Sequence, residues 1–95
     1  MRYGKAHLEE RLRRVLAEEI QALEDPRLFL LAVEEARLSP DGALLSVYVE
    51  AFGDERGALE ALARAEGRLV AAIKRRVRLK RLPRLEFLPW RAEPS

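Results

Sequence analysis

The chain contains no cysteine, threonine or asparagine, and Gln21 is its single glutamine. Lack of cysteine excludes disulfides, zinc fingers and thiol catalysis together. His7 is the only histidine and lies near a terminus. Ser39, Ser46 and Ser95 have no base near them in the pattern, and the carboxylates are scattered along helix faces without metal-ligand spacing. Neither nucleophilic nor metal-assisted chemistry is therefore expected, and no catalytic residue, metal or cofactor is assigned. No apolar run approaches the ~20 residues that span a bilayer, and the N-terminal stretch lacks the apolar core of a signal peptide. The expected location is the cytoplasm.

What the chain has in abundance is ionic side chains, with arginine (15) far outnumbering lysine (3). Proteins of hot environments combine many ionic residues with few thermolabile ones, and a GC-rich genome would give much of the same bias. Ninety-five residues, 48% of them hydrophobic, make one globular domain with a thin core. The charge is divided unevenly. Residues 1–63 hold 8 Lys/Arg against 13 Asp/Glu, a net of −5, whereas residues 64–95 hold 10 against 3, a net of +7. Such asymmetry points the basic part toward an acidic partner, a nucleic acid above all.

Leu8, Leu12, Val15, Leu16, Ile20 and Leu23 recur at the helical period, which predicts an amphipathic helix over 5–23. Asp25-Pro26-Arg27 breaks it. Residues 28–38 read as a strand, apolar on both faces at its start, with a short buried helix as the alternative. Ser39-Pro40-Asp41-Gly42 is a turn, and residues 43–52 alternate as a second strand, so the two form a hairpin. After Pro83, Leu85-Glu86-Phe87-Leu88 is the expected third strand, and residues 89–95 are read as a tail beyond a single domain of residues 1–88.

Between hairpin and third strand, residues 56–82 carry two apolar stripes at the helical period: Leu59, Leu62 and Ala63, then Leu69, Val70, Ile73 and Val77. They meet at Ala65-Glu66-Gly67, where glycine tolerates a positive φ that would close one helix and turn the chain into the next. Opposite the second stripe, Arg68, Ala71, Arg75 and Arg78 follow one another at i, i+3, i+7 and i+10, which predicts a solvent-facing row of guanidiniums. Lys74 and Arg76 flank it, and Lys80, Arg81 and Arg84 continue the charge. From Lys74 to Arg84 there are seven cations and no acid. A solvated helix face would mix in glutamate, as the preceding helix does; a phosphate-binding surface would not.

The resulting order, α-β-β-α-α-β, makes an α+β fold with a three-stranded sheet packed by helices. It resembles the type II KH domain, an RNA-binding fold whose helix pair normally encloses a Gly-x-x-Gly loop. No such motif occurs here. Ala65-Glu66-Gly67 stands at that junction, and an Ala-x-Gly kink in place of the loop is similar to the ribosome-binding factor A family. Arg14-Val15 and Glu19-Ile20, Asp25-Pro26-Arg27, Ser39-Pro40-Asp41, Ser46-Val47-Tyr48-Val49 and Leu82-Pro83-Arg84-Leu85-Glu86-Phe87 add to the resemblance, which covers about residues 3–88. The family usually follows the last stretch with an Asp-containing segment and a further extension; Leu88-Pro89-Trp90-Arg91 stands there instead.

The resemblance implies binding to the free small (30S) ribosomal subunit or its precursor, and contact with 16S rRNA. It also implies a non-catalytic role in late maturation and rRNA processing, including in the cold. The candidate RNA-binding residues are Arg64, Ala65, Gly67, Arg68, Lys74, Arg75, Arg78, Lys80, Arg81 and Arg84, on a monomer without membrane contact. Ribosomal proteins and other assembly factors are further partners it allows. The second reading is a protein-interaction module that docks basic ribosomal proteins through Glu9, Glu10, Glu18 and Glu19 of the first helix.

Overall fold

The computed structural model describes residues 4–91; residues 1–3 and 92–95, and with the latter much of the expected tail, lie outside the described residues. Helix α1 spans Lys5–Ala22, built from strong helix formers and burying Leu12, Val15, Leu16 and Ile20 on one stripe. Pro26 forces Asp25 into extended backbone, so the helix is already over at Glu24, which takes a left-handed φ of 56°.

The expected strand over 28–38 is shorter than its composition suggested. Pro26–Leu28 forms a 3-10 turn capped by Asp25, and β1 runs only from Leu31 to Leu38. Leu28 enters the core, whereas Phe29 and Leu30 point into water. Proline presets the turn's first φ, and Asp25 accepts the Arg27 amide at 3.0 Å, so local turn chemistry overrides the apolar run. Within β1 a bulge at Glu34 shifts the register: Val33 faces Val49 but Glu35 faces Tyr48. The extra residue puts Val33, Ala36 and Leu38 on one face, which strict alternation would not allow.

The hairpin turn forms as expected. Gly42 has φ 75°, its amide donates to the Ser39 carbonyl at 2.9 Å, and Asp41 accepts from the Ser39 hydroxyl and the Ala43 amide. Strand β2 (Leu44–Ala51) buries Leu45, Val47 and Val49 and turns Ser46, Tyr48 and Glu50 the other way. Helix α2 (Glu55–Arg64), capped by Asp54, and helix α3 (Glu66–Arg76) then cross over to β3 (Arg84–Pro89), which pairs parallel to β2. Trp90 continues that pairing, its amide donating to the Val49 carbonyl at 2.7 Å. Its ring meets Tyr48 edge-on, with centroids 6.4 Å apart.

The sheet order is β1-β2-β3. All three helices lie on the face that presents Val33, Leu45, Val47, Val49 and Leu85, and they contribute Leu16, Leu62, Leu69 and Ile73 to one continuous core. Side chains of α1 also cover the outer edge of β1. Arg13 donates to the Val33 carbonyl at 3.0 Å, and Glu9 accepts the Leu38 amide at 2.7 Å, which occupies backbone groups that would otherwise template another strand.

Candidate nucleic-acid interface

The junction of α2 and α3 lies where expected, but glycine does not make it. Ala65 ends one helix and begins the next with φ −89° and ψ 2°. Its amide reaches the carbonyls of both Ala61 and Leu62 at 3.1 Å, and its own carbonyl accepts Leu69 N–H at 3.0 Å. A ψ near zero in place of about −42° redirects the axis without any left-handed residue. Gly67 is the second residue of α3, its φ is not positive, and a Cβ built there would meet nothing within 4 Å. The glycine thus leaves open space at the start of α3, where no side chain caps the helix and Arg64 and Arg68 stand exposed on either side.

Helix α3 ends at Arg76, earlier than the apolar stripe predicted. Val77 is extended, with φ −131° and ψ 132°, so Arg78 does not continue a helical row with Arg68 and Arg75. The reason is a change of period. Val77 is buried, Arg78 exposed, Leu79 half-buried and Lys80 exposed, an alternation of two that marks extended chain. Pro83 is fully buried and fixes the far end. The segment is pinned by its apolar residues and turns its cations outward.

The cations fall into three groups. Arg64 and Arg68 sit at the kink. Arg68 and Arg75 also line a groove of about 220 Å³, together with Ala71 and with Glu19, Ala22 and Leu23 from the end of α1. Lys74, Arg75, Arg76, Arg78, Lys80 and Arg81 surround a hollow of about 420 Å³ over Val77, Leu79 and Leu82. Arg84 opens β3, 3.7 Å from Glu66. At about 1.5 Å per residue, the 11 residues of α3 separate the kink from the loop by roughly 16 Å, too far for one phosphate-sized anion to span both cationic ends.

Pairing divides these cations further. Arg76 is held by Glu18 at 2.6 Å and Glu19 at 3.1 Å, and its carbonyl accepts from Arg11. It ties α3 to α1 rather than facing a partner. Arg75 has one loose contact, 3.9 Å from Glu19. Among the described residues, Arg64, Arg68, Lys74, Arg78, Lys80 and Arg81 find no carboxylate close enough for an ion pair. Arg81 lies over the hairpin turn, its aliphatic stem 3.6 Å from where a Gly42 Cβ would stand.

The acidic face proposed for protein docking is largely occupied. Glu9 holds β1, Glu10 binds Arg13 and Arg14, and Glu18 and Glu19 bind Arg76. Hydrogen bonds from Arg13, then Arg14, hold the Glu10 carboxyl down at about 2. Glu9 thus joins α1 to the sheet, Glu10 pairs within α1, and Glu18 and Glu19 join α1 to α3. Among the described residues, no helix is long and apolar enough to cross a membrane.

A profile of the family described as ribosome-binding factor A matches residues 4–89. A ribosome-binding factor A from Thermus thermophilus is 76% identical over 95 residues, the whole of both chains. The crystal structure of ribosome-binding factor A from Thermus thermophilus aligns with a TM-score of 0.92 at 78% identity, covering 95% of this chain and all of that one. A homology model of the Thermus thermophilus factor, fitted into a cryo-EM map of its complex with 30S, aligns with a TM-score of 0.80 at 76% identity, covering 96% of this chain and all of that one.

Proposed function

The chain belongs to the ribosome-binding factor A family, and from that premise we propose that it binds the free 30S subunit or its precursor through 16S rRNA. In that role it assists late maturation and processing of that RNA, including in the cold. The activity is binding, with no bond made or broken. The relative fitted into a 30S complex supports the partner.

The observation that carries the RNA assignment is the set of unpaired cations at both ends of α3, around a helix start that no side chain caps. Arg64, Arg68 and the amides at Gly67 offer positive potential at the kink, where the missing Cβ lets a sugar-phosphate backbone approach closely. Ala65 sets the angle, and Lys74, Arg75, Arg78, Lys80, Arg81 and Arg84 engage a second stretch of phosphates. Residues 64–82 carry no aromatic side chain, so recognition there follows the folded shape of the RNA rather than base stacking.

The test is binding to free small subunits across a salt series. Replacing Arg68, Arg78 and Lys80 together with alanine removes three unpaired cations and no internal ion pair. We expect affinity to fall sharply and the log–log salt slope to become shallower by roughly 2–3. Unchanged affinity and slope would take the RNA site away from this face.

A further inference from the structure

The end of the sheet away from the cationic loop holds three large apolar side chains in water. Phe29 is 55% exposed, Leu30 68% and Phe52 62%. They are neighbours: Phe52 N–H donates to the Leu30 carbonyl at 2.9 Å, one step beyond the Leu31–Ala51 pair. Single exposed apolar residues are ordinary, but three in one place mark a surface that another molecule covers.

The patch is held in shape. Leu28 is buried at 1% and anchors the turn from below. Its carbonyl accepts from Gln21 Nε2 at 3.1 Å, and Asp25 caps the turn through the Arg27 amide. With Leu28 fixed inward, Phe29 and Leu30 are fixed outward, so little ordering entropy is lost when something binds them.

The surroundings identify the partner's charge. Residues 24–31 and 50–60 carry Glu24, Asp25, Glu50, Asp54, Glu55 and Glu60 against Arg27 and Arg56, a net of −4. Arg91 reaches Glu55 at 3.2 Å and offsets one of these acids, which still leaves the rim negative. Arg27 is bound to Asp25 at 2.8 Å, and Glu60 and Asp54 stabilise its charge through space, which sets both acids beside the turn. Phosphates brought here would be repelled, so the two phenyl rings are poorly placed to stack RNA bases. A protein segment with an apolar side chain between lysines or arginines matches both the patch and its rim.

We propose that Phe29, Leu30 and Phe52 form a docking surface for such a basic, apolar-anchored protein segment. That the segment belongs to a small-subunit protein rests on the proposed function. The molecule then bridges: RNA along α3 and the loop after it, protein at the end of the sheet away from that loop.

The test uses the full chain, immobilised, with two probes: proteins extracted from small subunits free of RNA, and protein-free small-subunit rRNA. Phe29→Ser and Phe52→Ser, made separately and checked for unchanged folding, should each weaken capture of the extracted proteins by roughly tenfold while leaving rRNA affinity unchanged. Glu60→Lys should weaken protein capture without weakening rRNA binding. Protein capture equal to wild type in both phenylalanine variants overturns the proposal. So does a loss on rRNA in place of protein, which would make the patch an RNA contact. Self-association of the wild type that either phenylalanine variant abolishes would make a second copy the occupant, and overturns it too. The extracted-protein arm contains no RNA and no intact subunit, so it decides the patch even if subunit binding fails and the proposed function with it.

Discussion

Nothing in the packing requires glycine at position 67: a methyl group there meets open space, in a helical backbone that alanine prefers. Gly67→Ala should therefore raise stability, by about 0.5–1 kcal/mol in chemical denaturation, while weakening binding to small-subunit rRNA. A variant that gains stability and binds as well as wild type would remove the case for close approach. Composition located this junction correctly and gave the wrong cause for it, because a ψ near zero at Ala65 leaves no mark in the sequence. Single acids carry a second expectation. Glu10 is held at about 2 in the fold by Arg13 and Arg14. Asp25 is lowered by Arg27, and Asp41 by the Ala43 amide and the Ser39 hydroxyl. Folded-state values depressed in this way give stability that is complete above the ordinary carboxylate range and lost as pH falls through the folded values. The melting temperature should thus decline from pH about 4.5 toward about 2, and Glu10→Gln should flatten part of that decline. An unaltered acid profile in Glu10→Gln would mean that the pair with Arg13 contributes nothing.

The elements reveal where periodicity informs and where it misleads. α1, the hairpin and β3 were legible because each repeats one period and is bounded by a turn residue or a cap; α2 lies where expected, but it buries Ala58, Ala61 and Leu62, while Leu59 is half-buried and Ala63 exposed. The segment after α3 was not, because Val77 fits both the helical stripe behind it and the alternation Val77-Arg78-Leu79-Lys80 ahead. Tertiary burial of Val77 and Pro83 decides for extended chain. The start of β1 failed for the opposite reason: an apolar run looked buried on both faces, while Asp25-Pro26 had already committed three residues to a turn. If the loop's cations depend on their apolar pins, Val77→Ala should cost roughly 2 kcal/mol of stability. It should also lower rRNA affinity although no charge has changed. Lost stability with intact affinity at the same salt would show that the loop charges act without that anchor.

At the scale of the whole molecule, charge is polarised along the sheet. The basic loop lies by the hairpin turn where β2 and β3 begin, Arg68 lies beside the end of α1, and the apolar, acid-rimmed patch stands where β2 ends. The sequence registered that polarity as a change of net charge near residue 64, yet it placed the acidic function on α1, whose glutamates prove to be tied to Arg13, Arg14 and Arg76. Which acids are free is a matter of three-dimensional pairing, and charge counts along the chain do not contain it. The same pairing commits Arg76 to α1 and, among the described residues, leaves Arg64, Arg68, Lys74, Arg78, Lys80 and Arg81 without an ion pair. The most direct test places a photo-crosslinking residue at Lys80 in one variant and at Phe52 in another, each bound to free small subunits. Adducts to 16S rRNA are expected from position 80, and adducts to protein from position 52. RNA adducts from position 52 with none from position 80 would contradict this division of the surface.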